Sequence, residues 1–200
     1  MTAYQSQLDD KTRRLHALLA PFAAPEAEIF PSPPEGYRMR AEFRVWHDGD
    51  NCHFAMTGAD GKPVRIDTFP PAHAAINRLM PQVITALHDC PALRHRLFQA
   101  EFQTTQAGET MLSLIYHRPL DDAWQEAAEA LAAELGVHLI GRARREKRII
   151  DQDYITETFR VGGRDYHYRQ YENSFSQPNA AVCQHMLNWA TAQAGSRADL

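Results

Sequence analysis

Along residues 37–46 apolar and polar side chains alternate without a break. Tyr37, Met39, Ala41, Phe43 and Val45 fall on one side; Arg38, Arg40, Glu42, Arg44 and Trp46 fall on the other. A period of two belongs to a strand with one buried face, so this segment predicts a strand whose outer face is cationic. Upstream, Tyr4, Leu8, Leu15, Leu18, Leu19 and Phe22 recur at helical spacing and predict an amphipathic helix. Pro21 and Pro25 stop it, and with Pro31, Pro33 and Pro34 they hold an extended connector, because proline fixes φ and offers no ladder donor.

Downstream, Asp48-Gly49 and Asp60-Gly61 are hairpin signals, so CHFAMT and PVRIDTF are expected to pair back as a meander. A helix follows over Ala72 to His88, with Ile76, Leu79, Met80, Val83, Ile84 and Leu87 as its apolar stripe and Pro81 as an expected kink or break. Leu97 to Thr105 and Thr110 to Arg118 read as strands joined through Ala107-Gly108. Asp121 and Asp122 then favour a helix start, Trp124, Ala128, Leu131, Ala132 and Leu135 supply its stripe, and Gly136 ends it. VHLIGR, TETFRV and DYHYRQY give further strands, the last two meeting at Gly162-Gly163.

These elements predict an α+β domain, an antiparallel sheet with helices packed on one side, over residues 1–170. Residues 171–200 differ in kind. Gln177-Pro178-Asn179 opens a helix with an expected inner stripe of Val182, Met186, Trp189 and Ala190 and a cap at Gly195. Ser196 to Leu200 then read as the start of a new strand, so a second domain is expected to open there, with Leu200 a cut.

Composition narrows the function classes. Hydrophobic residues are 44% and charged ones 23%, which suits a packed core and excludes a disordered or collagen-like chain. Lys+Arg is 21 against Asp+Glu 25, a net charge of -4, so any nucleic-acid binding has to come from local patches. No apolar run is long enough for a membrane span and no leader pattern is visible, which leads to the expectation of a soluble, cytoplasmic, monomeric protein. Cys52, Cys90 and Cys183 are odd in number and widely spaced, and the ten histidines form no HExxH or HxH pattern. Neither a metal site nor an iron-sulfur cluster is expected.

Three features are candidates for chemistry. The face Arg38, Arg40, Glu42, Arg44 suits phosphate contacts interleaved with a carboxylate that accepts from a base edge; it equally suits a solvated face with cross-strand ion pairs. RARREKR at 142–148 sets Arg142, Arg144, Arg145, Lys147 and Arg148 against Glu146 alone, as an RNA patch or as a charged hairpin tip. RHRLFQ places Arg94, His95, Arg96 and Gln99 around Phe98, an aromatic for unstacked bases or a core ring; His117 stands near Arg118 at a strand end. No nucleophile elbow, P-loop or GxGxxG occurs.

YRMRAEFRVWHDG, RIDTFP, LRHRLFQ, LIYHRPLDD, HLIGRA, DQDY and ENSFSQPNAA, in this order along the chain, resemble the tRNA (uracil-5-)-methyltransferase family of the TrmA type. The resemblance implies an RNA-binding domain followed by a Rossmann-like methyltransferase domain, S-adenosyl-L-methionine as donor, and methylation of carbon 5 of the T-loop uridine at position 54 of tRNA. It assigns Gln177 to the donor, Phe98 to entry into the T loop, and Glu42, Arg44 and His117 to positions against the RNA. Arg40, Arg94, Arg144 and Arg145 join the RNA-binding set from charge and placement. The family's donor loop, acidic ribose contact, catalytic cysteine and glutamate base have no counterpart in these residues, and Cys183 does not match the nucleophile. The chain alone is therefore expected to be inactive. The related ribosomal-RNA enzymes typically carry a further β-barrel and four cluster cysteines, which favours tRNA here. The alternative function is a non-catalytic module that binds the tRNA T arm.

Overall fold

The computed structural model describes residues 2–195. Strand β1 (Arg40–Asp48) buries Ala41, Phe43 and Val45 and exposes Glu42 and Arg44, as its alternation requires. It turns at Gly49, whose φ of 60° suits glycine, into β2 (Asn51–Thr57). β3 (Pro63–Arg65) is shorter than its sequence suggested. Past it, the Asn77 side chain accepts from the Phe69 amide and donates to the Phe69 and Ala72 carbonyls, so a helix satisfies backbone that a longer ladder would have used.

β4 (Leu97–Thr104), β5 (Thr110–Tyr116), β6 (His138–Ala143) and β7 (Glu146–Ile150) complete a seven-stranded sheet of order β3-β2-β1-β4-β5-β6-β7. The expected α+β class holds, with one difference: β5 and β6 run parallel in an otherwise antiparallel sheet. The cause is the intervening helix α4 (Asp122–Leu135), which carries the chain back across the sheet before β6 begins. Asp121 caps α4 by accepting from the Trp124 amide, and Gly136 ends it in the left-handed region.

The inner face packs against α2 (Ala74–Asp89), the one-turn helix α3 (Pro91–Arg94) and α4. Phe43, Phe54 and Phe102 meet there, and Trp124 lies over Gly141, where an added Cβ would clash with the indole. α2 passes Pro81 unbroken. Pro81 is on the solvent side, while Ile76, Leu79, Met80, Val83 and Leu87 pin both halves of the helix to the core. Helix α1 (Ala3–Leu19) forms as expected but buries no residue, with Leu18 and the following Phe22 largely exposed.

β8 (Tyr154–Val161) and β9 (Arg164–Tyr171) form a separate ribbon. It lies on the outer face of the main sheet, where Ile155 packs on Met111 and Ile140 and Gln103 donates to Gln170. Helix α5 (Ala180–Ala194) packs on β8 through a stripe different from the expected one. Ala180, Cys183 and Leu187 turn inward, Gln184 accepts from the Arg160 amide and Asn188 from the Gly162 amide, whereas Met186 and Trp189 are exposed. The helical face 180-183-184-187-188 contains two amides that the strand backbone needs, and apolarity alone does not mark it. Gly195 ends α5 in right-handed geometry. The strand expected at 196–200 lies outside the described residues.

Candidate nucleic-acid interface

The strand registers set out the outer face in rows. Arg44, Gln99, Ile115, Arg142 and Lys147 stand in one; Glu42, Glu101, Ser113, Ile140 and Ile149 in the next; Arg40, Gln103, Met111 and His138 in a third. The ribbon covers the apolar part of these rows around Met111 and Ile140. Beside it an open hollow of about 750 Å³ remains, lined among others by Gln99, Glu101, Ile115, His117, Arg142 and Arg144.

Phe98 stands at the rim of this face. The β4–β5 register shifts between Leu97 and Gln99, so Phe98 is the extra residue of a bulge, and a bulge re-aims a side chain. Its ring stacks on His117 at 4.2 Å and 28°, and the Arg44 guanidinium carbon lies 4.1 Å from the ring centroid on the partly exposed side of the molecule. His117 is itself placed by its amide, which donates to the carbonyl of Arg96. Three residues that the sequence marked separately thus form one column. Phe98 belongs to this column and not to the core cluster.

The carboxylates reinforce this picture. Glu42 is exposed and sits directly across from Glu101 in the β1–β4 ladder, a like-charge pair that costs stability. Arg40 donates to Glu101 at 3.3 Å and to the Ser174 carbonyl at 3.1 Å, and Gln99 donates to Glu101 at 3.0 Å. Glu101 is therefore satisfied, and Glu42 makes no hydrogen bond within the described residues. Glu101 escaped the sequence reading, which marked Gln99 only as a neighbour of Phe98. The alternation of polar 99, 101 and 103 with apolar 100 and 102 is the signal that would have found it.

The basic run divides in two. Arg142 reaches Glu172; Lys147 reaches Asp153 and Glu172; Arg148 reaches Glu146 and the Leu120 and Asp121 carbonyls. Burial lowers the Lys147 pKa and its two carboxylate partners raise it, for a net rise. Glu146 is held below the usual carboxylate range chiefly by the Leu120 amide, with Arg148 assisting. Arg144 and Arg145 occupy the exposed turn of the β6–β7 hairpin with no ion pair or hydrogen bond among the described residues, Arg145 at φ 63°.

Other expected residues are placed differently. Arg94 donates to the Leu87 and His88 carbonyls and to Asp50, closing the C-terminal end of α2, so the structure gives it a scaffolding role in this state. Gln177 is exposed in the β9–α5 loop, which is tied down by Met39 donating to the Pro178 carbonyl and Gln103 donating to Ser176. The loop therefore borders the face that carries Arg40. Cys52 and Cys183 have thiols pushed up by burial, Cys183 further by Glu157, the opposite of a ready thiolate. Among the described residues no group of His, Cys, Asp and Glu is arranged to hold a metal ion.

Aromatic side chains presented on a sheet face beside cationic groups are one way α+β RNA-binding domains stack unpaired bases. Residues 3–200 match the family described as tRNA (Uracil-5-)-methyltransferase, and the chain belongs to that family. It is 52% identical over 198 residues to a tRNA/tmRNA (uracil-C(5))-methyltransferase of Azotobacter vinelandii, covering 98% of this chain and 55% of that protein. Against the protein of the same description from Pseudomonas aeruginosa it is 52% identical over 202 residues, covering 99% and 55%. Among solved structures it is similar to the Pyrococcus abyssi tRNA (uracil-54, C5)-methyltransferase in complex with S-adenosyl-L-homocysteine, with a TM-score of 0.68, 19% identity, and 94% and 48% of the two chains covered. That likeness is one of fold. The chain spans about half the length of the curated relatives it matches.

Proposed function

We propose that this chain is the tRNA-recognising portion of an S-adenosyl-L-methionine-dependent enzyme that methylates carbon 5 of the T-loop uridine at position 54. The observation that carries the reading is the Arg44–Phe98–His117 column beside an open, arginine-lined hollow. A target base inside a folded loop has to leave its stack, at a cost of about a few kcal/mol. Phe98 offsets that cost by stacking in the loop once the Arg44 guanidinium moves off its face, with His117 fixing the ring plane from the other side. Arg144 and Arg145 are free to meet phosphate, and the unpaired Glu42 is free to accept from a base edge.

S-adenosyl-L-methionine, when bound, supplies the methyl group. Gln177 fits a donor contact, being an exposed amide on a loop tied to the RNA-facing side. One amide does not make a donor site, and the remaining contacts that the family resemblance implies have no counterpart in residues 1–200. The same holds for the attacking thiolate, since the resemblance matches none of Cys52, Cys90 and Cys183 to the nucleophile. The chain by itself therefore binds and does not methylate. The test is methyl transfer from labelled donor to a tRNA transcript. The 200-residue chain is expected to give none while retaining T-arm binding, and turnover by the chain alone would refute this division of labour.

A further inference from the structure

The upper surface of the β8–β9 ribbon carries a second aromatic and cationic group that the Phe98 column does not use. The register sets Tyr154 opposite Tyr171, Thr156 opposite Arg169 and Thr158 opposite His167. These residues share the face turned away from the sheet, because the alternate positions Ile155, Glu157, Phe159 and Val161 are the buried ones. The Tyr154 and Tyr171 rings lie 5.5 Å apart, and the Arg169 guanidinium carbon is 4.6 Å from the Tyr154 centroid. Tyr171 is 46% exposed and Arg169 faces solvent. The ribbon is already anchored from its other face by Ile155, Phe159 and Val161, so the docking of the ribbon does not depend on these rings.

The group is also joined to the RNA-facing surface. Asp153 and Glu172, the chain neighbours of Tyr154 and Tyr171, are gripped by Lys147, and Glu172 also by Arg142. The hairpin tip with Arg144 and Arg145 is thereby stapled next to the tyrosines. Arg142 lines both the hollow near His117 and a neighbouring cavity bounded by Arg145, Lys147, Asn173 and Ser174. Arg142 and Lys147 are spent on these carboxylates, whereas Arg44 beside Phe98, Arg144 and Arg145 at the tip and Arg169 on the ribbon have no carboxylate partner among the described residues, and a phosphate chain is the partner that matches such a set.

We infer that Tyr154, Arg169 and Tyr171 form a second RNA contact, a stacking platform for an unstacked base of the same RNA that the Phe98 column engages. This rests on the reading of the outer sheet face as the RNA surface. Aromatic faces accept any base and an arginine over a ring adds cation–π attraction, so the platform contributes affinity and orientation more than sequence choice.

The experiment compares affinities of the full chain for a tRNA transcript, using wild type, Tyr171→Ala, Tyr171→Phe, Arg169→Gln and Phe98→Ala, each checked by thermal melting. Tyr171→Ala and Arg169→Gln are expected to weaken binding by about fivefold or more, and Tyr171→Phe to bind as wild type. Wild-type affinity in Tyr171→Ala and Arg169→Gln, with a loss in Phe98→Ala, overturns the platform and leaves the Phe98 reading standing. A loss in the first two with none in Phe98→Ala retains the platform and removes the other site; no loss in any variant overturns both. If Tyr171→Ala melts early, Arg169→Gln decides, since it keeps both tyrosine rings and removes only the guanidinium that lies over Tyr154 and bonds Tyr171.

Discussion

Phe98→Ala separates the two things the ring does. In the folded chain it stacks on His117 at 4.2 Å and lies under Arg44 at 4.1 Å. An aromatic pair contributes about 0.5–1.5 kcal/mol beyond area burial and an exposed cation–π contact about 0.5–1 kcal/mol, so losing these two contacts destabilises the domain by about 1–2.5 kcal/mol, to which the ring's partial burial adds. For a chain of this size the two contacts alone lower the melting temperature by about 2–10 °C, which leaves it folded at room temperature. If the ring stacks on a base, the variant also loses about 1–3 kcal/mol of binding, a factor of about 5 to 150 in affinity. Fluorescence anisotropy with a labelled T-arm hairpin at 25 °C, beside a melting curve, reads both quantities. A lowered melting temperature with unchanged affinity would refute the reasoning and make Phe98 a packing residue.

Replacing Arg144 and Arg145 by Ala should reduce the slope of log affinity against log salt by about 1.5 to 2, whereas Arg148→Ala should leave the slope unchanged and lower stability, because Arg148 holds the Leu120 and Asp121 carbonyls. Glu42→Gln should raise stability slightly by relieving the pair with Glu101 while weakening T-arm binding; chemical denaturation and anisotropy check the two signs, and improved binding would contradict the role given to Glu42. Asp121 and Glu146 both titrate below their ordinary values, chiefly because each accepts from a backbone amide, of Trp124 and of Leu120 respectively. Their stabilising contribution is present above the unfolded carboxylate range and is lost as pH falls through the lower folded values. Denaturant midpoints should therefore fall below about pH 4, and fall less in the Asp121→Asn, Glu146→Gln double variant.

Local chemistry was legible in the sequence where one residue decides it. The alternation over 37–46 placed the Arg40, Glu42, Arg44 face correctly, and Asp121 and Gly136 bounded α4 as read. Three-dimensional outcomes were not. The parallel β5–β6 pair depends on the direction in which α4 crosses, and α5 turns toward β8 a face holding Gln184 and Asn188, so an apolar stripe gave the wrong side. Pro81 is tolerated because the buried stripe of α2 outweighs one missing hydrogen bond. For the site, residue types pointed to Arg44, Phe98 and His117, while only the bulge and the register brought them into contact. The five cations of 142–148 looked alike in sequence; Glu172, far along the chain, engages Arg142 and Lys147, and Arg148 is held by the nearby Glu146 and by the Leu120 and Asp121 carbonyls from before α4. Arg94 was drawn by carbonyls that no local pattern announces.

The most direct test of the central claim is titration of this chain into a labelled T-arm hairpin and into the same hairpin with its loop scrambled, at two salt concentrations, in a sample shown to be folded. The account predicts tight binding that depends on the loop and weakens with salt. Binding that is absent, or equal for the two loops, would contradict the assignment of T-arm recognition to this sheet face.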